Sequence, residues 1–185
     1  MDALLQQHKK TIFFDLETQR TFDEVGGRQN LSKLGLAVAV TCDSSRGEYH
    51  AYTEDQAHEL VKELAAAGLV VGFNLLSFDY EVLQPYTDYP LQTLPTVDML
   101  RDIHQALGFR LPLQALAEAT LGVGKSADGL QSVRWFRAGE LEKVIKYCRR
   151  DVEITMKLYE YGRQRGHVLY WDRQGRMRKV FVNWR

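Results

Sequence analysis

Short apolar runs separated by polar segments give the first outline of the chain. Thr11 to Leu16 (TIFFDL) is dominated by aromatic and β-branched residues and predicts a strand. The polar stretch from Gln19 to Ser32, with Gly26 and Gly27 in its middle, predicts a loop. Lys33 to Thr41 predicts a second strand, and the turn residues Asp43 to Gly47 lead into the alternating Glu48 to Thr53, the third strand of an antiparallel meander. In Glu54 to Ala67 the residues Ala57, Leu60, Val61 and Leu64 fall on one helical face, with Thr53 as N-cap and Gly68 as the stop. Leu69 to Phe73 is the compact apolar run of a buried parallel strand. A short helix over Ser77 to Leu83, ending near Pro85, and a short strand over Thr93 to Val97 follow. Asp98 to Leu107 and Pro112 to Leu121 predict helices, and Gly139 to Gly162 one long amphipathic helix or two joined ones. Two β-like runs around Asp172 to Gly175 predict a hairpin between His167 and Trp184.

This order implies an α/β fold: a mixed sheet of three antiparallel strands followed by parallel strands, flanked by helices, with a C-terminal β-hairpin. Residues 1–162 are expected to form the main domain. Residues 163–185 form either part of it or a small appendage. At 185 residues with 45% apolar side chains the chain can bury a core without covalent staples, and disorder is excluded. Its longest apolar stretch, Leu64 to Phe73, is broken by Gly68 and Gly72 and is too short for a membrane span. The start, MDALLQQHKK, lacks an apolar signal core, and Cys42 and Cys148 make no metal-type or disulfide spacing. A reducing, cytoplasmic setting and no membrane partner are the expectation.

Lysine plus arginine and aspartate plus glutamate balance at 24 each, so bulk charge alone does not hold nucleic acid to this protein. The balance is uneven. The segment from Gly162 to Arg185 has seven basic residues and one acid, a net +6, which leaves −6 on residues 1–161.

The acids carry the candidate chemistry. Asp15 and Glu17 alternate with Phe14 and Leu16, so a strand places both carboxylates on one face. Two such groups at the end of an apolar strand repel each other, and a divalent cation is the simplest remedy; all-oxygen donors favour Mg²⁺ or Mn²⁺. A solvated acidic loop is the plainer alternative. Val71 to Asp79 (VGFNLLSFD) reads as a buried strand turning into a helix, with Asp79 near the carboxyl edge of the sheet, where ligands of open α/β sheets bind. Asp79 can equally complement a helix dipole, and Asn74 can simply shape the turn. Tyr147 and Asp151 are four apart, hence on one helix face, amid the apolar positions Val144, Ile145, Val152 and Ile154.

Taken together, Asp-x-Glu, Asn-x3-Phe-Asp and Tyr-x3-Asp in this order resemble the DEDD superfamily of 3′→5′ exonucleases on the ribonuclease H-like (DnaQ-like) fold. The likeness extends over about Thr11 to Tyr159. It is closest to the tyrosine subclass (DEDDy): Tyr147 lies four residues before Asp151, and Lys146 stands where the histidine subclass would place His. YprB-type ribonuclease H-like proteins and family-B polymerase exonuclease domains look most similar, and Leu111 to Gly122 looks like the Leu-rich helix that precedes the third motif in such nucleases.

The resemblance implies that Asp15, Glu17, Asp79 and Asp151 hold two divalent cations, Mg²⁺ or Mn²⁺, with Asp15 bridging them and Tyr147 orienting the attacking water. The products would be nucleoside 5′-monophosphates released from a 3′ end, with single-stranded DNA or RNA as the expected substrate. Thr18, Asn74 and Phe78 are the candidates for contacting the terminal nucleotide, Phe78 either stacking on a base or packing in the core. Asp98 reads as a cap before a ligand, and Lys125 and Arg134 as solvated residues before phosphate contacts. A helicase or another repair or processing protein is a possible partner.

The tail interleaves arginine and lysine with Tyr170, Trp171, Phe181 and Trp184. That pattern suits single-strand binding, but it suits slightly better a hairpin that packs its aromatics on the domain. The loop from Gln19 to Ser32 lies beside the expected site and is placed to gate it. A structure-specific endonuclease on the same fold and a non-catalytic nucleic-acid or partner-binding module are the other readings. Retention of all four carboxylates and Tyr147 argues against the last.

Overall fold

A computed structural model of the chain describes residues 10–124 and 129–184. Its centre is a five-stranded sheet in the order β3-β2-β1-β4-β5. β1 (Thr11–Thr18), β2 (Leu36–Asp43) and β3 (Glu48–Thr53) form the antiparallel meander. β4 (Leu69–Gly72) joins β1 in parallel, and β5 (Thr96–Asp98) joins β4 in parallel. The mixed sheet, its flanking helices and a separate two-stranded hairpin are the architecture the residue pattern predicts.

The alternation of β1 sorts its side chains onto two cores. Ile12, Phe14 and Leu16 pack with Leu60, Leu64 and Tyr80 on one face. Phe13 packs on the other with Val38, Val40, Val71 and the helix residues Val144, Cys148 and Val152. The first face is covered by α1 (Ala57–Ala66) and α2 (Tyr80–Leu83). The second is covered by α3 (Met99–Leu107), α4 (Leu113–Leu121) and α6 (Leu141–Arg165), with α6 lying across β1 and β2.

Several element ends differ from expectation for identifiable reasons. β2 begins at Leu36 because a 3-10 turn, Arg28–Lys33, and Gly35 at φ 72° occupy the preceding residues. The first helix opens as a 3-10 turn, Glu54–Gln56, where the Gln56 carboxamide accepts from the Thr53 N–H at 3.2 Å. The short helix expected from Ser77 starts earlier, as a π-helical turn over Leu75–Asp79, and Pro85 sits inside a 3-10 turn, Gln84–Tyr86, where the coil continues. Its ring replaces an N–H that a first turn leaves unpaired. The long C-terminal helix is continuous for 25 residues. A helix with no counterpart in the sequence reading, α5 (Gly129–Arg137), precedes it.

The hairpin, β6 (His167–Trp171) and β7 (Met177–Phe181), turns at Asp172, whose carboxylate accepts from the backbone N–H groups of Gln174 and Arg176 at 2.9 Å. The aromatics of the tail divide between core and solvent. Val168, Val180 and Trp184 are buried in the α6-side core, whereas Trp171 and Phe181 are exposed. Trp184 stacks on Tyr159 (centroids 6.0 Å, planes 15° apart), and its indole N–H donates to Asp102 at 3.1 Å. Among the described residues no helix is long and apolar enough to cross a membrane.

Gly162 on α6 is what lets Trp184 seat. A Cβ at this position would meet the indole ring at 2.4 Å. Gly162→Ala would gain about 1 kcal/mol in an exposed helix. Here the forced displacement of a fully buried indole should instead destabilise the fold by about 1–3 kcal/mol, lowering the urea midpoint.

Candidate functional site

Asp15 and Glu17 point from β1 to the face covered by α6, the side of Phe13. At the strand end the pairing with β2 slips between Glu17 and Thr18, so that Ala37 is an extra residue bulged between Val38 and Leu36. Val144, Cys148 and Val152, spaced four apart, press α6 onto the sheet. The approach is close: the buried thiol of Cys148 donates to the Asp15 carbonyl oxygen at 3.3 Å and lies 3.5 Å from its carboxylate. One turn on, Asp151 reaches the strand acids. Oxygens of Asp15, Glu17 and Asp151 all lie within 4.8 Å of one another.

Asp79 stands beside this trio without joining it. It is buried at the end of the π-turn, and its Oδ1 accepts from the Leu16 N–H at 3.1 Å. Its charge is nonetheless felt by both Asp15 and Glu17. The Tyr147 hydroxyl lies near enough to Asp151 to favour its charged form, and its ring meets Trp135 of α5 edge-on at 6.2 Å.

Asp98 is committed to the backbone. It accepts from the N–H groups of Asn74 (2.9 Å), Leu76 (3.0 Å) and Arg101 (3.2 Å), capping α3 and pinning the turn after β4. Asn74 makes that turn at φ 76°, and its side-chain oxygen accepts from Arg110 at 2.6 Å. Thr18 donates its hydroxyl to the Arg20 carbonyl at 2.9 Å. Thr18 and Phe78 line a largely apolar cavity of about 500 Å³ that also touches Glu17, Phe22, Leu34 and Leu130. Phe78 packs edge-on against Phe22 at 6.0 Å while keeping part of its surface free. The loop from Gln19 to Ser32 forms one wall of this cavity and is tethered to α5 by the Glu24–Arg137 ion pair. Arg134 is exposed on α5, and Lys125 lies outside the described residues.

Burial and mutual repulsion dominate the electrostatics. Burial first, then the charges of Asp79, Asp151 and Glu17, push the Asp15 carboxyl well above its ordinary range. Burial pushes Glu17 and Asp79 each up to about 8. It pushes Asp151 up to about 6, opposed by the Arg150 charge and the Tyr147 hydroxyl. Among the described residues none of the four is ion-paired to a lysine or arginine. The buried Ser132 hydroxyl on α5 makes no hydrogen bond of good geometry, yet lies near enough to favour the charged form of Glu17. An oxygen-only, anionic donor set of this kind fits hard divalent cations such as Mg²⁺ or Mn²⁺.

Two contributors escaped the sequence reading. Cys148 carried a signal in the Val144–Cys148–Val152 spacing. Ser132 carried none, because a lone serine in a polar stretch shows no spacing to the strand acids it approaches.

A search of curated proteins returns no match. A family model of the RNase H superfamily matches residues 12–162, a span that includes all four carboxylates and Tyr147 and ends before the hairpin.

A carboxyl whose folded-state pKa is raised stabilises the fold only while it is protonated. Its contribution is complete below the ordinary carboxyl range near pH 4 and is lost as pH rises through about 6 for Asp151 and about 8 for Glu17 and Asp79. In chelator, the melting temperature should therefore fall between about pH 4 and pH 8. Added Mn²⁺ should raise it more at pH 8 than at pH 5, as differential scanning fluorimetry would read. Asp15→Asn should soften the alkaline loss and abolish the Mn²⁺ increment.

Proposed function

The chain belongs to the RNase H superfamily, and we propose that it is a metal-dependent nuclease of the tyrosine (DEDDy) type, removing nucleoside 5′-monophosphates from the 3′ end of a nucleic-acid strand. The observation that carries this reading is the convergence of the Asp15, Glu17 and Asp151 oxygens within 4.8 Å, with no ion pair to a lysine or arginine among the described residues. Family membership supports hydrolysis of nucleic acid. The exonucleolytic direction rests on the motif order and on the cavity beside Glu17.

In this reading Asp15, Glu17 and Asp151 hold the cations, and Asp79, anchored by the Leu16 N–H, supports them from the side. The chemistry supplied by bound Mg²⁺ or Mn²⁺ is acidification of a water and neutralisation of charge on the departing oxygen. Tyr147 then needs no role as a base. Its hydroxyl, beside Asp151 and with its ring backed by Trp135, fixes the direction from which water approaches phosphorus. Thr18 and Phe78, on the wall of the 500 Å³ cavity, receive the terminal nucleotide, whose base packs against the apolar surface of Phe22 and Phe78. Asn74 takes part through its link to Arg110, which sets a positive charge at the sheet edge.

End-labelled single strands of DNA and RNA, incubated with Mg²⁺ or Mn²⁺, should yield labelled mononucleotides from the 3′ end, and chelator should stop the reaction. Longer fragments from a circular strand would replace this reading with an endonuclease. Asp15→Asn should abolish turnover. Tyr147→Phe should lower kcat by about 10²-fold while retaining the Mn²⁺ stabilisation, and an unchanged kcat would remove the water-orienting role.

A further inference from the structure

The basic, aromatic surface that the nuclease chemistry leaves unused forms a second cavity, of about 510 Å³, between the α3–α4 junction and the hairpin. It is lined by Phe109, Arg110, Leu111, Tyr170, Trp171 and Arg173, among others. We propose that this groove binds a single-stranded stretch of the substrate behind its 3′ end. The proposal rests on the nuclease reading and names the form of nucleic acid it selects.

The groove offers the two groups an unpaired strand requires. Phe109 and Trp171 are 46% and 50% exposed, and Phe109 meets Tyr170 edge-on with centroids 6.0 Å apart, which leaves an aromatic rim for bases to stack on. Arg110 and Arg173 are both exposed, and among the described residues neither is ion-paired. The acid on the rim, Asp172, is already neutralised by Arg176 at 3.0 Å and Arg178 at 2.8 Å. What faces an arriving phosphate is therefore net positive.

The groove also lies on the carboxylates' side of the sheet. The helices α3 and α4 and the hairpin cover the same face of the sheet to which Asp15 and Glu17 point. Arg110, on the groove wall, donates to Asn74. Asn74 lies two residues beyond the end of β4, the parallel neighbour of β1, and so at the same edge of the sheet as the end of β1 that carries the acids. A strand whose end lies at the carboxylates thus has a path past Asn74 and Arg110 onto the aromatic rim. Stacking on that rim requires unpaired bases, so a duplex is excluded from it.

Anisotropy measurements in chelator, on the full chain, test this with labelled strands of about twenty nucleotides in DNA, RNA and duplex forms, alongside cleavage of a tetranucleotide with Mn²⁺. The wild type should bind the long single strands more tightly than the duplex. The double variant Phe109→Ala/Trp171→Ala should bind them about tenfold or more weakly, with tetranucleotide cleavage unchanged. Arg173→Ala should lower the salt slope of binding by about one. The DNA and RNA arms show which sugar is preferred. Unchanged long-strand affinity in the double variant overturns the proposal and leaves the groove to a protein partner, and duplex bound as tightly as single strand overturns it too. Failure of the wild type to cleave anything would refute the nuclease reading, while the binding comparison still judges the groove.

Discussion

Crowding of carboxylates is the constraint on which the rest of this structure depends. Three acids within 4.8 Å and a fourth buried beside them, none ion-paired to a lysine or arginine among the described residues, make a centre that repels itself. Each group ionised there against a raised pKa opposes folding by on the order of several kcal/mol, comparable to the whole stability of a small domain. The surrounding fold must supply that energy, and it does so through two well-filled apolar layers on either side of β1.

The same layers set the geometry. β1 carries Phe13 inward beside Asp15 and Glu17, so the strand cannot turn its acids to solvent without exposing the phenyl ring. The helix α6 is pressed onto the sheet by Val144, Cys148 and Val152, and this brings Asp151 to the strand acids rather than to water. The thiol of Cys148 fits under Asp15 as a weak donor where a larger side chain would push the helix away. Asp79 is fixed from another direction, by the backbone of Leu16. The acids are thus preorganised by packing, as expected of a site that works by charge placement.

Much of this was legible in the residue pattern because it follows from short-range periodicity. Alternation in TIFFDLET fixes which face the acids take, and four-residue spacing puts Tyr147 beside Asp151. What escaped depends on tertiary context. The nine residues of α5 carry Leu130, Val133 and Phe136 at helical spacing but open on a glycine and interleave Gln131, Ser132 and Arg134, so the stripe is short; the helix is held by Trp135 and Phe136, which pack on the α6-side core. The tail aromatics share one composition but not one fate. Trp184 is drawn into the core by the gap over Gly162, whereas Trp171 sits near the hairpin turn with no such gap to fill. No spacing rule distinguishes Asp79 from the trio, because its position is set by one long-range backbone bond.

Calorimetric titration of the metal-free protein with Mn²⁺ at pH 7, in buffers of differing ionisation enthalpy, tests the carboxylate centre most directly. With Glu17 and Asp79 both pushed up to about 8, cation binding must displace protons, so a net release of about one proton or more per chain is expected, and it should vanish in Asp15→Asn. Absence of binding, or binding with no proton released, would contradict the convergence of these acids into one cation-holding site.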